Sequence, residues 1–278
     1  MTESHWGNKE QQYTTTPRSF QIGGARAEDA IPLESRDNLI ALTGIYWDPA
    51  ALELGSMRQG GVEWAQARMR ARLPELIWST AALEGNTFTL PEVQTLLDGV
   101  TVEGKKLEEQ QQVLALQETF NYLDGLVSTK TFRLESDTSD ELHERVARHE
   151  AIESGHFRGF GSVTGGGNVR LSTGETVEGL PAELIVSRFN SLVDVVSSTA
   201  DTRLAALIYF ASATRSQFYF DGNKRTARMM ASGMLLAQGY DALYIPFERR
   251  LEYNKCLDSL FTTNNGTDLM QFLASCAK

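Results

Sequence analysis

The chain reads as an all-α protein carrying one small β-hairpin, for three reasons. Val62, Ala65, Met69, Leu73, Leu76, Ile77 and Ala81 recur at steps of one, three and four, which is the apolar stripe of an amphipathic helix. The stretch TRLAALIYFASATR, residues 202–215, is apolar on nearly every side, as expected of a helix buried at the centre of a domain. Only residues 155–171, GHFRGFGSVTGGGNVRL, break the helical period completely. There Val163 and Val169 flank Gly165, Gly166 and Gly167, which suggests a short hairpin turning at the glycines.

Taken in order, residues 1–35 are polar and aperiodic, with Pro17, Gly23 and Gly24, and read as an irregular arm. Residues 36–135 form an N-terminal helical region. Its apolar stripe is divided by Pro74, and the resulting helix, about residues 75–85, should stop at Gly85 and Asn86, two residues suited to a left-handed cap. Thr89-Leu90-Pro91-Glu92 matches a capping box for a helix running to Gly99. A third helix over residues 105–126 is charged and Gln-rich but buries Leu107, Val113, Leu114, Phe120 and Leu123. Residues 136–278 form the second unit: a helix over 140–153, the hairpin, and a helix from Pro181 with Leu184, Ile185, Phe189, Leu192, Val195 and Val196 inward. The central helix follows, then one that starts near Asn223 as N-cap, fills the core with Met229, Met230 and Met234, and ends by Gly239.

Composition excludes several classes. The 26 Lys and Arg against 36 Asp and Glu give a net charge of −10, without a long basic stretch, so a nucleic-acid backbone is not the expected partner. No run approaches the roughly 18 apolar residues of a membrane span, and MTESHWGNKEQQ lacks an apolar targeting core, so a soluble cytoplasmic protein is expected. Cys256 and Cys276, far apart in sequence, read as two packed thiols of a reduced compartment. His143-Glu144 opens like a zinc-protease motif, but Ala147 ends the match, and a solvated or capping role is expected for His143 and His149. The triglycine has neither the spacing of a dinucleotide fingerprint nor a following G-K-[ST]. Nothing in the sequence indicates an oligomeric state.

The stretch SQFYFDGNKRTAR, residues 216–228, is harder to explain on structural grounds. It places Lys224, Arg225 and Arg228 in the first turns of a helix, where cations oppose the positive end of the helix dipole. A solvated helix gains nothing from this. A phosphate chain at that end would be held by the helix amides, the dipole and the cations together. Asp221, just before the helix, is the residue type that recruits Mg²⁺, which takes one or two carboxylates plus phosphate oxygens.

The segment Q-F-Y-F-D-G-N-K-R-T-A-R resembles the signature of the Fic/Doc family, H-x-F-x-[DE]-G-N-x-R-x-x-R, and T-A-A-L-E-G-N upstream resembles the [ST]-x-x-x-E-[GN] inhibitory motif of some Fic proteins. Helix order and hairpin also fit, over roughly residues 60–260. The resemblance implies a Fic-type helical domain with a hairpin flap, and transfer of AMP from ATP to a hydroxyl of a target protein. Position by position it implies that Asp221 binds Mg²⁺, that Gly222 and Asn223 form the anion cradle beside Lys224, and that Arg225 and Arg228 hold the outer phosphates. It further implies that Thr80 and Glu84 form an inhibitory element, Glu84 pairing with Arg228, and that a target segment docks as an added strand near Thr164 to Val169. Lys224 stands where glycine is commoner, as in the Doc branch, and Tyr219 where the motif has phenylalanine.

The departure is Gln217, at the position of the family's histidine, which takes the proton of the attacking hydroxyl. A glutamine amide cannot accept a proton near neutral pH and can only orient a hydroxyl or water. Loss of a general base costs about 10² to 10⁴ in rate. Three readings follow: an adenylyltransferase-type protein, restrained by Glu84, with weak or lost transfer; a non-catalytic nucleotide sensor or interaction module; or transfer of a different group, such as phosphoryl or phosphocholine.

Overall fold

The computed structural model describes residues 36–277, so the reading of 1–35 as an irregular arm lies outside the described residues. Among these residues the chain forms eleven α-helices and one two-stranded antiparallel hairpin. The N-terminal region holds α1 (Arg36–Thr43), α2 (Val62–Ala71), α3 (Leu73–Leu83), α4 (Leu90–Leu97) and α5 (Leu107–Ser128). Then come α6 (Ser136–Ala147), the hairpin strands β1 (Val169–Arg170) and β2 (Thr176–Val177), α7 (Ile185–Ser198), α8 (Thr202–Ser216), α9 (Asn223–Leu236), α10 (Arg250–Thr263) and α11 (Thr267–Ser275).

Local chemistry accounts for most boundaries. Pro74 falls in the first turn of α3, so the expected division occurs at Arg72, between α2 and α3. Helix α3 ends with Glu84 as its C-cap, and Gly85 follows at φ 94°. The capping box of α4 is present, with Glu92 accepting from the Thr89 amide at 2.7 Å. Helix α8 has only two residues that are not buried across its first twelve positions and supplies the centre of the core, Ala206, Leu207, Ile208, Phe210 and Ala211 being fully enclosed. It packs most extensively on α9 and is flanked by α7. Met229, Met230 and Met234 of α9 are wholly buried in the core, as expected.

Four expectations are corrected. Leu107, Leu114 and Leu184, read as inward-facing, are 65%, 43% and 46% exposed; Leu107 is the first residue of α5 and Leu184 precedes α7, so neither is held on its helix's packed face. The helix placed at 140–153 runs instead over Ser136–Ala147. The hairpin turns after β1, not at the triglycine: Val169 pairs with Val177 and Arg170 with Thr176, so the reversal lies in residues 171–175, where Gly174 takes φ 88°. The triglycine instead meets close neighbours; a side chain at Gly167 would fall 2.6 Å from the Arg158 guanidinium carbon. The N-cap of α9 is Gly222, at φ 70°, with Asn223 the first helical residue.

Candidate functional site

The loop 217–222 joins the two best-packed helices, and both of its ends are left-handed. Gln217 ends α8 at φ 53°, and Gly222 opens α9 at φ 70°. A left-handed glutamine is uncommon and persists only where its surroundings hold it. Here they do. Its carbonyl accepts from Arg158 Nε at 2.6 Å, its amide Nε2 donates to the Thr214 carbonyl at 2.6 Å, and its Oε1 accepts from Asn223 Nδ2 at 3.1 Å. Asn223 in turn ties the loop to itself, Oδ1 accepting from the Tyr219 amide and Nδ2 donating to the Tyr219 carbonyl, both at 2.8 Å.

Beneath the loop lies a buried polar layer. The Tyr219 hydroxyl donates to Asp140 Oδ1 at 2.8 Å and accepts from Ser139 Oγ at 2.7 Å, so the polar tip that distinguishes it from phenylalanine is satisfied. Its ring stacks on His143 with centroids 3.8 Å apart. His143, expected to be solvated or capping, is completely buried. Because the Gly155 amide donates to its Nδ1 at 3.0 Å, its proton is on Nε2, which donates to the Asp221 carbonyl at 3.0 Å. Burial holds its pKa down to about 4, opposed by that bond to Asp221. Burial pushes the Asp140 carboxyl up to about 7 despite the Tyr219 hydrogen bond.

The loop and the first turn of α9 open on a cavity of about 570 Å³. Glu84, Gln217, Asp221, Gly222, Asn223, Lys224 and Arg225 line one side, and the hairpin residues 168–172 with Asn254, Leu257, Asp258 and Phe261 line the other. The structure therefore brings together every residue named for the phosphate cradle and its inhibition except Thr80 and Arg228. Asp221 presents a carboxylate that is 64% exposed, its Oδ1 accepting from the Gly222 amide at 2.5 Å. The hairpin is moored across the cavity, Asp258 accepting from the Ser172 amide at 3.3 Å and from the Ser172 hydroxyl. Thr80 is buried in α3 and Arg228 is buried in α9; neither lines the cavity.

The cations are distributed differently from the expectation. Glu84 meets Lys224, Oε2 to Nζ 2.8 Å, and not Arg228. Lys224 lies one turn nearer the amino end of α9, where its flexible stem reaches the C-cap of α3. Burial alone would raise the Glu84 pKa, but the charges of Lys224 and Arg225, the Lys224 hydrogen bond and the Arg228 charge together hold it below the usual carboxylate value. Arg225 is gripped in a fork by Glu150, at 2.6 and 2.9 Å. Gln112 Nε2 donates to both Glu150 oxygens at 3.2 Å and its Oε1 accepts from Asn86 Nδ2 at 2.8 Å, which links Arg225 to the segment just after Glu84. Arg228 Nε and Nη2 are buried without a hydrogen-bond partner among the described residues.

Sequence reasoning did not find Glu150, Gln112, Arg158 or Asp140. Their only signal was local, such as Arg158 beside Phe157 in a glycine-rich stretch. Magnesium and a nucleotide fit the residues present: an exposed carboxylate, first-turn amides that no intrahelical acceptor serves, Lys224 at the wall, and the unpartnered guanidinium nitrogens behind it.

No family model matches the chain. The protein adenylyltransferase Fic of Drosophila ananassae is 29% identical over 208 residues, 73% of this chain and 39% of that protein. That of Drosophila grimshawi is likewise 29% identical over 208 residues and 41% of its length, so the chain spans about two fifths of these curated relatives. Among solved structures, a Fic domain containing signaling protein from Bacteroides thetaiotaomicron superposes with a TM-score of 0.65 at 22% identity, covering 81% of this chain and 88% of its own. Fic-1 of C. elegans, residues 134–508, gives 0.62 at 22% identity over 80% of this chain and 64% of that one. A Fic family protein from Desulfovibrio desulfuricans gives 0.65 at 20% identity, covering 83% and 72%. The fold is therefore the Fic-type helical fold, and the chain is similar in sequence to proteins bearing the Fic name.

Proposed function

We propose that the cavity at the amino end of α9 binds ATP with Mg²⁺, and that the chain is an adenylyltransferase-type protein restrained by Glu84. One observation carries this reading: the Asp221 carboxylate, the first-turn amides of α9 and Lys224 converge on one 570 Å³ cavity, where a phosphate chain relieves the opposition between cations and helix dipole. When bound, the nucleotide supplies the AMP group, and the metal offsets the charge of its phosphates.

The chain's own residues do the rest. Asp221 holds the metal ion, and the cradle from Gly222 to Arg225 orients the phosphates. Glu84, by neutralising Lys224, withdraws a cation from the phosphate end, a variation on the expected pairing with Arg228. The segment Thr164 to Val169 leading into β1 receives the target strand. Gln217 has both amide atoms committed within the protein and no basic nitrogen, so it takes no proton from the target hydroxyl, and transfer is slowed by about 10² to 10⁴. The same observation favours the second reading, a nucleotide sensor or interaction module.

Calorimetry with ATP and Mg²⁺, and incubation with labelled ATP, test both readings on wild type, Glu84→Gly and Gln217→His. Glu84→Gly is expected to bind at least about tenfold more tightly, by release of one charge-assisted donor. Absence of binding in wild type and in Glu84→Gly would overturn the nucleotide reading. Label transfer confined to proteins carrying Gln217→His would leave the sensor.

A further inference from the structure

A second cavity, of about 220 Å³, lies beyond the base of the hairpin and is lined by Ile40, Gly44, residues 179–181, Arg188, Arg215, Ser216 and Asn264. It is smaller than the roughly 300 Å³ at which pockets for drug-sized ligands begin. Among the described residues two arginines face it and no carboxylate does. Arg215 spends Nε on Asn264 Oδ1 at 2.7 Å and reaches the Glu178 carbonyl only at 3.4 Å, which leaves Nη2 without a partner among the described residues. Arg188 forms no hydrogen bond or ion pair with another described residue. Ser216 Oγ, in the same wall, is buried without a partner, and its residue is only 2% exposed.

The backbone makes room for this arrangement. A Cβ at Gly44 would fall 2.4 Å from Arg188 Nη1 and 3.5 Å from Ser216 Oγ, so the absence of a side chain there lets the guanidinium lie beside the hydroxyl. Two like charges drawn together without a counter-charge are unfavourable unless an anion joins them. Burial lowers the pKa of both guanidinia, and the Arg215 charge lowers that of Arg188 further.

We propose that this cavity is a binding site for one phosphate-type oxyanion, held by the forks of Arg188 and Arg215 with Ser216 Oγ as a third donor. Guanidinium forks match phosphate oxygens in pairs, and a hydroxyl supplies the remaining direction. The ligand is either inorganic phosphate or the phosphate of a monoester. Because Ser216 precedes Gln217 and the Leu180 amide donates to the Ser216 carbonyl at 3.3 Å, the oxyanion is held against the backbone that carries the first cavity. The proposal does not depend on nucleotide binding there.

The test is amide NMR of the full chain, titrated with inorganic phosphate and separately with O-phosphoserine, ionic strength being held constant with sodium chloride. Saturable shifts at Gly44, Gly179 and Ser216 are expected. A response to both probes identifies a monoester-competent site, and a response to phosphate alone a site for the free ion. Arg188→Gln and Arg215→Gln should each weaken binding at least about tenfold. Shifts confined to Gly222 and Asn223, no saturable shift in wild type, or unchanged affinity in folded variants would overturn the proposal.

Discussion

Lys224 and Glu84 meet at 2.8 Å at the wall of the larger cavity, and each is what the other needs. The carboxylate ends α3, where it faces the negative end of a helix dipole, and the lysine opens α9, where it faces a positive one; pairing relieves both. Lys224→Ala leaves the carboxylate without its cation and is expected to cost about 1 to 3 kcal/mol in urea denaturation, less than a fully buried pair would. The pH dependence has a definite sign. The folded Glu84 pKa lies below its ordinary value, so its stabilisation is complete above about pH 4.5 and is lost as pH falls through the folded value. Thermal unfolding from pH 7 down to 3 should therefore fall more steeply below pH 4.5 for wild type than for Glu84→Gln. A parallel decline in the two proteins would show that the pair contributes nothing to acid sensitivity.

The elements carry a second kind of constraint, set by how closely backbones approach. Helix α9 holds Gly233 within its hydrogen-bonded interior, an unfavourable helix residue by about 1 kcal/mol relative to alanine. Propensity alone therefore favours Gly233→Ala. Packing opposes it, because the added carbon would fall 2.1 Å from the Phe132 ring. Overpacking typically costs about 1 to 3 kcal/mol, so Gly233→Ala is expected to lower the melting temperature, and a rise would refute the packing argument. The hairpin was placed wrongly from sequence for the same reason. Three glycines resemble a turn, yet the spacing does not reveal that Phe220 and Arg158 occupy the places where side chains at Gly166 and Gly167 would be. The capping box at Thr89 and the break at Pro74 were legible because they depend on residues within one helical turn.

At the scale of the molecule, α8 is the post around which the site is arranged: α7, α9, α10 and α11 all contact it, and its carboxyl end delivers Gln217. Ile208, fully buried at its middle, is expected to cost about 2 to 5 kcal/mol on replacement by alanine, measured by urea denaturation. A cost under about 1 kcal/mol would mean that the core collapses around the cavity and that α8 is not the rigid element described. No helix among the described residues is long and apolar enough to cross a membrane, and both cysteines are free thiols.

Amino-acid order alone determined the helical class, the break at Pro74, the caps at Gly85 and Thr89, the loop at 217–222 and its lack of a basic side chain at position 217, because each depends on neighbours within about four residues. Tertiary structure alone decided which charges meet. Glu84 faces Lys224 rather than Arg228, Arg225 is claimed by Glu150, and His143 lies beneath Asp221 because separate helices dock at particular heights and rotations. A shift of one turn moves a side chain by about 5.4 Å, more than an ion pair can span, and sequence spacing within one helix carries no information about the height of another.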